Sequence, residues 1–168
     1  MRRQVPNRLT YEEDKAVKIR LATLDDLETV YAICLRFHEE SRFSRYPINP
    51  DKLRLTVTES IQAAKASCIL LAETSGGGIA GMLAGFVTSP RFTDIRIAQD
   101  HGFYVLPEHR GSSAAMKLMI AFRRWAENRQ AVELCINQNV DIDQARFNRF
   151  MHHLNFKCCG ANFVLPLF

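Results

Sequence analysis

Residues 105–116 read VLPEHRGSSAAM, and this stretch decides the fold. An apolar strand ends before Pro107, small side chains follow from Gly111 to Ala115, and an apolar helix continues beyond them. The first turn of a helix leaves backbone N–H groups unpaired, and small side chains let an anion approach these donors. The stretch therefore predicts either a pyrophosphate-binding loop or a strand-to-helix turn with serine caps. It lacks the GxGxxG spacing of a dinucleotide-binding fold and the Lys-[Ser/Thr] ending of a P-loop.

Short apolar or alternating runs on both sides of this stretch predict strands. These runs are 17–21, 68–73, 79–88, 101–106 and 132–136, with a further short strand around 95–97. The three consecutive glycines at 76–78 predict a turn, so the second and third strands should form a hairpin.

Helical spacing of apolar residues predicts helices after Thr23 and over 51–66, 111–128 and 143–153. An irregular loop is expected at 39–50, and a last apolar segment at 162–167. This order of elements predicts a single α/β domain over 17–168, in which a mixed, mostly antiparallel central sheet carries helices on both faces. Residues 1–16 have little periodicity and are predicted to form an N-terminal tail or arm.

The composition excludes several classes of protein. The chain has 168 residues, of which 47% are hydrophobic and 24% charged, so it is not a wholly disordered protein. The longest apolar run, 79–87, is too short to cross a bilayer, which needs about 20 residues. The N-terminus begins Met-Arg-Arg without an apolar core after it, so it does not read as a secretory signal. We therefore expect a cytoplasmic protein without membrane contact.

The cysteines and the charge narrow the partners further. The five cysteines, 34, 68, 135, 158 and 159, form no CxxC pair, which disfavours a disulfide framework or a zinc site. No metal is predicted, because the histidines lack ligand spacing. The net charge of +4 arises from 16 Arg and 6 Lys against 18 acidic residues. That charge is too small to predict nucleic-acid binding, and an anionic small-molecule cofactor would use it equally well.

The central stretch and the elements around it resemble the GNAT superfamily of acetyl-CoA-dependent N-acetyltransferases. The family signature is Arg/Gln-x-x-Gly-x-Gly/Ala, preceded five residues earlier by a valine-like strand residue. It maps onto Arg110, Ser113 and Ala115, with Val105 as the strand residue. The run 107–111, Pro-Glu-His-Arg-Gly, is also typical of the family, and the order of elements matches over 17–167.

The resemblance implies a GNAT-like fold and direct transfer of an acetyl group from acetyl-CoA to a primary amine of a small molecule or a protein. It implies that backbone groups of one strand hold the pantetheine arm and that loop amides hold the pyrophosphate. The candidate cofactor-binding residues are Phe103, Tyr104, Val105, Arg110, Gly111, Ser112, Ser113, Ala114, Ala115 and Gln144.

Two positions depart from the family pattern. Ser113 replaces the central glycine, where a β-carbon narrows the loop although the hydroxyl can donate to phosphate. Met151 replaces the tyrosine of the motif Asn-x-x-Ala-x-x-Leu-Tyr-x-x-x-Gly-Phe, which protonates the leaving thiolate. A thioether has no proton to give, so either another donor or water serves, or catalysis is weak or absent. The alternative function is a catalytically weak or inactive GNAT-like protein that binds CoA or a protein partner.

His101 is the preferred general base, because an amine must lose a proton to become a nucleophile. It lies four residues before Val105, so strand alternation predicts that both side chains point to one face. An ordinary pKa of about 6.5 suits this role, and some family enzymes keep a histidine there. A polar residue at a strand start is the other interpretation. Asp100 is an alternative base if the strand is bulged, and Glu73 is either a further candidate or a solvated charge.

The sequence offers several candidates for the proton donor and one candidate segment for the acceptor site. Tyr104, His152 and His153 are candidates to replace the missing tyrosine, although alternation sets Tyr104 opposite the valine and the histidines are expected to be exposed. In the family, the segment after the first helix walls the acceptor pocket, and here that segment is 38–50. Its Glu39–Glu40 pair is either solvated or attracts a cationic amine. The apolar segment 163–168 predicts an internal strand or a homodimer contact.

Overall fold

Five strands lie side by side in chain order in the computed structural model, which describes residues 17–138, 144–160 and 165. All neighbouring strands pair antiparallel except the fourth and fifth, which pair parallel. The strands are β1 (Lys18–Leu21), β2 (Ser67–Glu73), β3 (Ile79–Thr88), β4 (Ile97–Val105) and β5 (Glu133–Cys135). The predicted hairpin of β2 and β3 is confirmed, and Gly77 in its turn has a φ of +80° that favours glycine.

The described residues form four α-helices, two on each face of the sheet. They are α1 (Leu27–Glu40), α2 (Pro50–Gln62), α3 (Ala114–Glu127) and α4 (Gln144–His153). Apolar residues of α1 and α2 pack against one face, and those of α3 and α4 pack against the other. The predicted α/β class, with a mixed and mostly antiparallel sheet between helices, is therefore confirmed.

Arg20 links β1 to the end of β2 and to the turn before α1. Its guanidinium donates to both carboxylate oxygens of Asp26 at 2.7 Å and to Glu73 at 2.9 Å. Asp26 also accepts the backbone N–H of Thr23, and these bonds hold the pKa of its carboxyl well below the usual range. Glu73 is thus a partner of Arg20 at the β1 side of the sheet.

The core on the α3 side contains more buried residues than the core on the α1 side. Phe122 and Leu118 of α3 are fully buried against Leu83 of β3, and Trp125 is also buried there. The helix presents these apolar residues at helical spacing, as the sequence indicates. Gly85 of β3 gives Phe122 its place, because a Cβ on that glycine would lie 2.4 Å from the phenyl ring.

The fourth strand differs from its prediction. A separate short strand at 95–97 and a strand beginning at residue 101 were expected, whereas β4 runs without interruption from Ile97. A bulge lies in the polar middle of the strand. Ala84 pairs with Gly102 and Gly85 pairs with Asp100, so His101 has no opposite residue. Apolar alternation does not reveal a strand across such a bulge, because the extra residue breaks the period of two.

Smaller differences concern the loops and ends. The first helix extends to Glu40, into the predicted loop 39–50, and α2 ends at Gln62, four residues before the predicted end at 66. The predicted N-terminal arm 1–16 lies outside the described residues, as does the last apolar segment except for the exposed Leu165. Within the described ranges, no helix combines the length and apolarity that crossing a membrane requires.

Replacing Gly85 by alanine tests the contact between β3 and α3. We expect Gly85→Ala to lower the free energy of unfolding by about 1–3 kcal/mol, because the added methyl overpacks a filled core. Gly76→Ala is the matched control, since its Cβ would meet a neighbouring atom only at 4.0 Å. Denaturant unfolding of both variants measures the difference. Equal stability of the two would contradict the close packing of Phe122 on this glycine.

Candidate active site

The parallel strands β4 and β5 separate after three residue pairs. Their ladder runs from Ile97 opposite Glu133 to Gln99 opposite Cys135, while β4 continues alone to Val105. Beyond Gln99, no strand among the described residues pairs with the β5 side of β4. This edge offers unpaired backbone groups to an extended ligand, which can add to it as a strand would.

A buried carboxylate marks the point of separation. Asp100 Oδ1 accepts the backbone N–H of Asn137 at 2.8 Å and its side-chain amide at 3.0 Å. Asp100 is 5% exposed, and its Oδ2 has no hydrogen-bond partner in the described part of the chain. Burial raises the pKa of this carboxyl to about 6, against the opposite effect of the bonds from Asn137. The bulge that would make Asp100 a candidate base is thus present.

The loop that follows β4 is open to solvent. Pro107–His109 form a single 3₁₀ turn, and Gly111 has a φ of +99° with no atom within 4 Å of the place where a Cβ would stand. Ser113 precedes α3 with a φ of −74° and a ψ of −5°, an ordinary right-handed conformation that needs no glycine. Ala114 is buried behind the loop. The Ala114 N–H at the start of α3 donates to Ser112 Oγ at 3.2 Å. The open surface at Gly111 therefore leads to a helix N-terminus, which attracts anions such as a diphosphate.

His101 lies on the opposite side of the sheet from Val105. Its ring stacks on Phe86, with centroids 4.2 Å apart and an interplanar angle of 22°. Alternation along β3 places Phe86 with Ala84 on the α1 side, whereas Val105 packs with the α3 cluster. The prediction that His101 and Val105 share a face is therefore wrong, because the bulge shifts the alternation by one residue. Partial burial lowers the pKa of His101 from its ordinary value.

Tyr104 is held by the end of α1. Its hydroxyl donates to Glu40 Oε1, and its ring meets Phe37 edge-on with centroids 5.8 Å apart. Burial and the bond to Glu40 raise the pKa of Tyr104 to about 12, so the phenol is neutral. Tyr104 faces α1, opposite Val105 as predicted. Because its proton is bonded to Glu40, it is not free to protonate a thiolate.

Glu40 has a different environment from the one the sequence suggests. Its second oxygen accepts Arg110 Nη2 at 2.6 Å, so both carboxylate oxygens are engaged and unavailable to a cationic amine. Arg110 Nε also donates to the carbonyl of Val105 at 3.1 Å. No sequence signal links these residues, because Glu40 and Arg110 are 70 positions apart.

The segment after α1 presents cations on aromatic rings. The guanidinium of Arg42 lies 4.2 Å from the centroid of Phe43, and that of Arg45 lies 4.9 Å from Tyr46. Glu39 is exposed. The wall at the end of α1 thus carries two stacked arginines beside one solvated acid.

Helix α4 packs on the α3 side of the sheet. Phe150 stacks with Phe103 of β4 at a centroid distance of 6.3 Å, and Met151 beside it is buried in the α3-side cluster. Gln144 begins the helix and is exposed, and His152 and His153 at its end are exposed as expected. The position of the family's tyrosine is thus a core position in this chain. Of the residues that the structure describes, no three His, Cys, Asp or Glu side chains converge to hold a metal ion.

Comparison with known proteins identifies a matching family and several structures with a similar fold. A sequence model of the acetyltransferase (GNAT) family matches residues 27–156, while no curated protein matches the chain. A solved structure of AAC(6')-Iy with the bisubstrate analogue CoA-S-monomethyl-acetylneamine superposes with a TM-score of 0.69 at 19% identity, covering 89% of this chain and 97% of that one. Ribosomal-protein-alanine N-acetyltransferase from Brucella melitensis biovar Abortus 2308 has a TM-score of 0.67 at 19% identity, covering 90% and 99%.

A third similar structure is aminoglycoside antibiotic 6'-N-acetyltransferase AAC(6')-IG from Acinetobacter haemolyticus. It has a TM-score of 0.65 at 19% identity, covering 89% of this chain and 97% of that one. At these identities the structures establish a shared fold.

The buried carboxyl gives a pH-dependent stability. Since folding raises the pKa of Asp100 from 3.8 to about 6, the stability that the neutral carboxyl permits is fully present below about pH 4 and is lost as the pH rises through 6. At pH 8 we expect Asp100→Asn to be more stable than wild type by about 2–3 kcal/mol and to unfold at a higher temperature. At pH 4 we expect the two proteins to be equally stable. Calorimetry at both values measures this, with the exposed Asp94→Asn as control. A lower melting temperature of Asp100→Asn at pH 8 would contradict the assigned burial cost.

Proposed function

Because the chain belongs to the acetyltransferase (GNAT) family, we propose that it transfers an acetyl group from acetyl-CoA to a primary amine by direct attack. The observation that carries the proposal is the separation of β4 from β5, which leads directly into the open loop before α3. The strand edge accommodates the extended pantetheine arm of acetyl-CoA, and the loop accommodates its anionic pyrophosphate. The amine belongs to a small molecule, as for the aminoglycoside enzymes of the same fold, or to a protein.

Residues of this chain hold the cofactor in the proposed complex. Backbone groups of Phe103, Tyr104 and Val105 bind the pantetheine arm along the unpaired edge, and the amides of Arg110–Ala115 bind the pyrophosphate. Gln144, exposed at the start of α4, is a further candidate contact. When bound, acetyl-CoA supplies an activated acyl group whose carbonyl oxygen gains negative charge during the reaction. A backbone N–H at or near Val105 donates to that oxygen.

Two neighbouring residues are proposed to remove the amine proton. His101 is partly exposed on the α1 side, where the segment after α1 walls the acceptor, and its lowered pKa leaves it neutral near pH 7. Asp100 lies where the strands part, and its buried Oδ2 has no hydrogen-bond partner in the described part of the chain. We take His101 as the base and Asp100 as its alternative.

The leaving thiolate needs a proton from another source than in the family motif. Met151 is buried and has no proton to give, and the phenol of Tyr104 is bonded to Glu40. His101 first takes a proton from the ammonium group and releases it to solvent, and the neutral amine then forms the N–C bond as the C–S bond breaks. The second proton, lost from the nitrogen of the adduct, passes to the sulfur through His101 or water, so the reaction yields amide, thiol and one proton.

Met151 also favours a second function. A chain that packs a methionine in its core where the family places its proton donor is suited to binding CoA without efficient turnover. Two measurements separate the possibilities. Calorimetry measures the binding of acetyl-CoA, and a thiol-release assay measures turnover with neamine and with a peptide whose N-terminal residue is alanine. Binding with thiol release supports the enzyme, binding without release supports the second function, and no binding at millimolar acetyl-CoA contradicts both.

The base assignment is tested by replacing each candidate. We use the acceptor that gives thiol release with the wild-type protein. With this acceptor, we expect His101→Ala to lower kcat by about 10²–10⁴-fold, while its affinity for acetyl-CoA stays within threefold of wild type. The wild-type rate should rise with pH, with an apparent pKa below the ordinary value of a histidine, because burial lowers the pKa of His101. Steady-state kinetics from pH 5 to 9 measure both effects. If His101→Ala keeps its rate and Asp100→Asn loses it, Asp100 is the base.

A further inference from the structure

We propose that Arg36 and Glu40, in the last two turns of α1, are positioning residues that hold the loop between β4 and α3 in its cofactor-binding conformation. Their partners are Glu108 and Arg110 of the loop. The inference rests on the proposed function, since it concerns the affinity for acetyl-CoA. We call these four residues the α1–loop clamp.

The outer pair of the clamp is a two-bond ion pair. Arg36 Nη1 donates to Glu108 Oε1 at 2.8 Å, and Nη2 donates to Oε2 at 2.9 Å. The parallel arrangement fixes the orientation of both side chains, as a fork of two N–H groups meets two oxygens. The residues are 42% and 52% exposed, so the pair orients the loop more than it stabilises the fold.

The inner pair reaches deeper. Glu40 receives Arg110 on one carboxylate oxygen and the hydroxyl of Tyr104 on the other. Arg110 in turn donates to the carbonyl of Val105, so one network joins α1, the end of β4 and the loop. Both partners of the pair are 31% exposed, which strengthens the attraction relative to a fully solvated pair.

The order of the charges specifies one alignment. Along α1 the cation at Arg36 comes first and the anion at Glu40 follows one turn later, whereas the loop presents the anion at Glu108 before the cation at Arg110. A shift of the loop by one pair would place like charges opposite each other, which is unfavourable. The clamp therefore selects a single position of the loop against the helix.

This position matters for the cofactor because the clamped residues border the diphosphate surface. Glu108 and Arg110 lie three residues and one residue before Gly111, whose positive φ turns the chain toward the start of α3. Gly111 is exposed, and no atom lies within 4 Å of the place where a Cβ would stand. Backbone hydrogen bonds such as Ser112 N–H to the His109 carbonyl at 3.2 Å hold the turn locally, and the side-chain bonds from α1 fix it against the helix. When a restraint is lost, the apparent Kd rises as the fraction of binding-competent protein falls.

Neutralising the inner pair tests the clamp. We expect Glu40→Gln to raise the Kd for acetyl-CoA about tenfold, with a melting temperature within a few degrees of wild type. Glu39→Gln is the matched control, because it removes the same charge from the neighbouring exposed residue of the same helix. Titration calorimetry with acetyl-CoA and thermal unfolding are measured on all three proteins. An equal Kd for Glu40→Gln and Glu39→Gln would overturn the inference.

Exchanging the outer charges gives a second, independent arm on exposed residues. We expect Arg36→Glu to raise the Kd about threefold to tenfold, and the double variant Arg36→Glu/Glu108→Arg to return it to within about threefold of wild type. A double variant that binds no better than Arg36→Glu would overturn the pairing. If wild-type protein binds no acetyl-CoA, the proposed function fails, whereas normal wild-type binding with unaffected variants rejects the clamp alone.

Discussion

The hydrogen bonds from Asn137 to Asp100 decide where the sheet opens. The backbone N–H of Asn137 follows β5 and would extend the parallel ladder if it met a carbonyl of β4, but it meets the Asp100 carboxylate instead. The ladder therefore stops at Gln99, and β4 continues with one unpaired edge. The strand edge and the loop before α3 form one continuous surface only because the strands part at this place. A buried carboxylate is a costly way to end a ladder, and such a cost is typical of functional sites.

The bulge in β4 distributes two titratable side chains to opposite sides of the sheet. Asp100 remains with the buried groups near β5, while His101 turns toward Phe86 on the α1 side. Two adjacent residues thereby acquire opposite pKa shifts from the same cause, since burial disfavours the charged form of each. An imidazole on the α1 side of the sheet and a carboxyl on the α3 side follow from one extra residue.

Several residues around this opening are engaged in packing or in hydrogen bonds within the protein. Met151 fills the core under α4, so the helix that supplies the family's tyrosine contributes packing here. Tyr104 and Glu40 bond to each other, whereas Asp100 keeps one carboxylate oxygen without a partner in the described part of the chain. The restraint on the loop comes from α1, an element that precedes it by about 70 residues.

The sequence by itself determined the order of the elements, the β2–β3 hairpin and the loop before α3, because apolar periodicity and glycine turns are local properties. It also identified Met151 as a departure from the family motif. Only the tertiary structure decided the face of His101, the burial of Asp100 and the engagement of Glu40. The bulge depends on the pairing of β4 with β3, and the ion pairs join residues 70 or more positions apart. Such contacts form only when the chain is folded, and no pattern within a short segment encodes them.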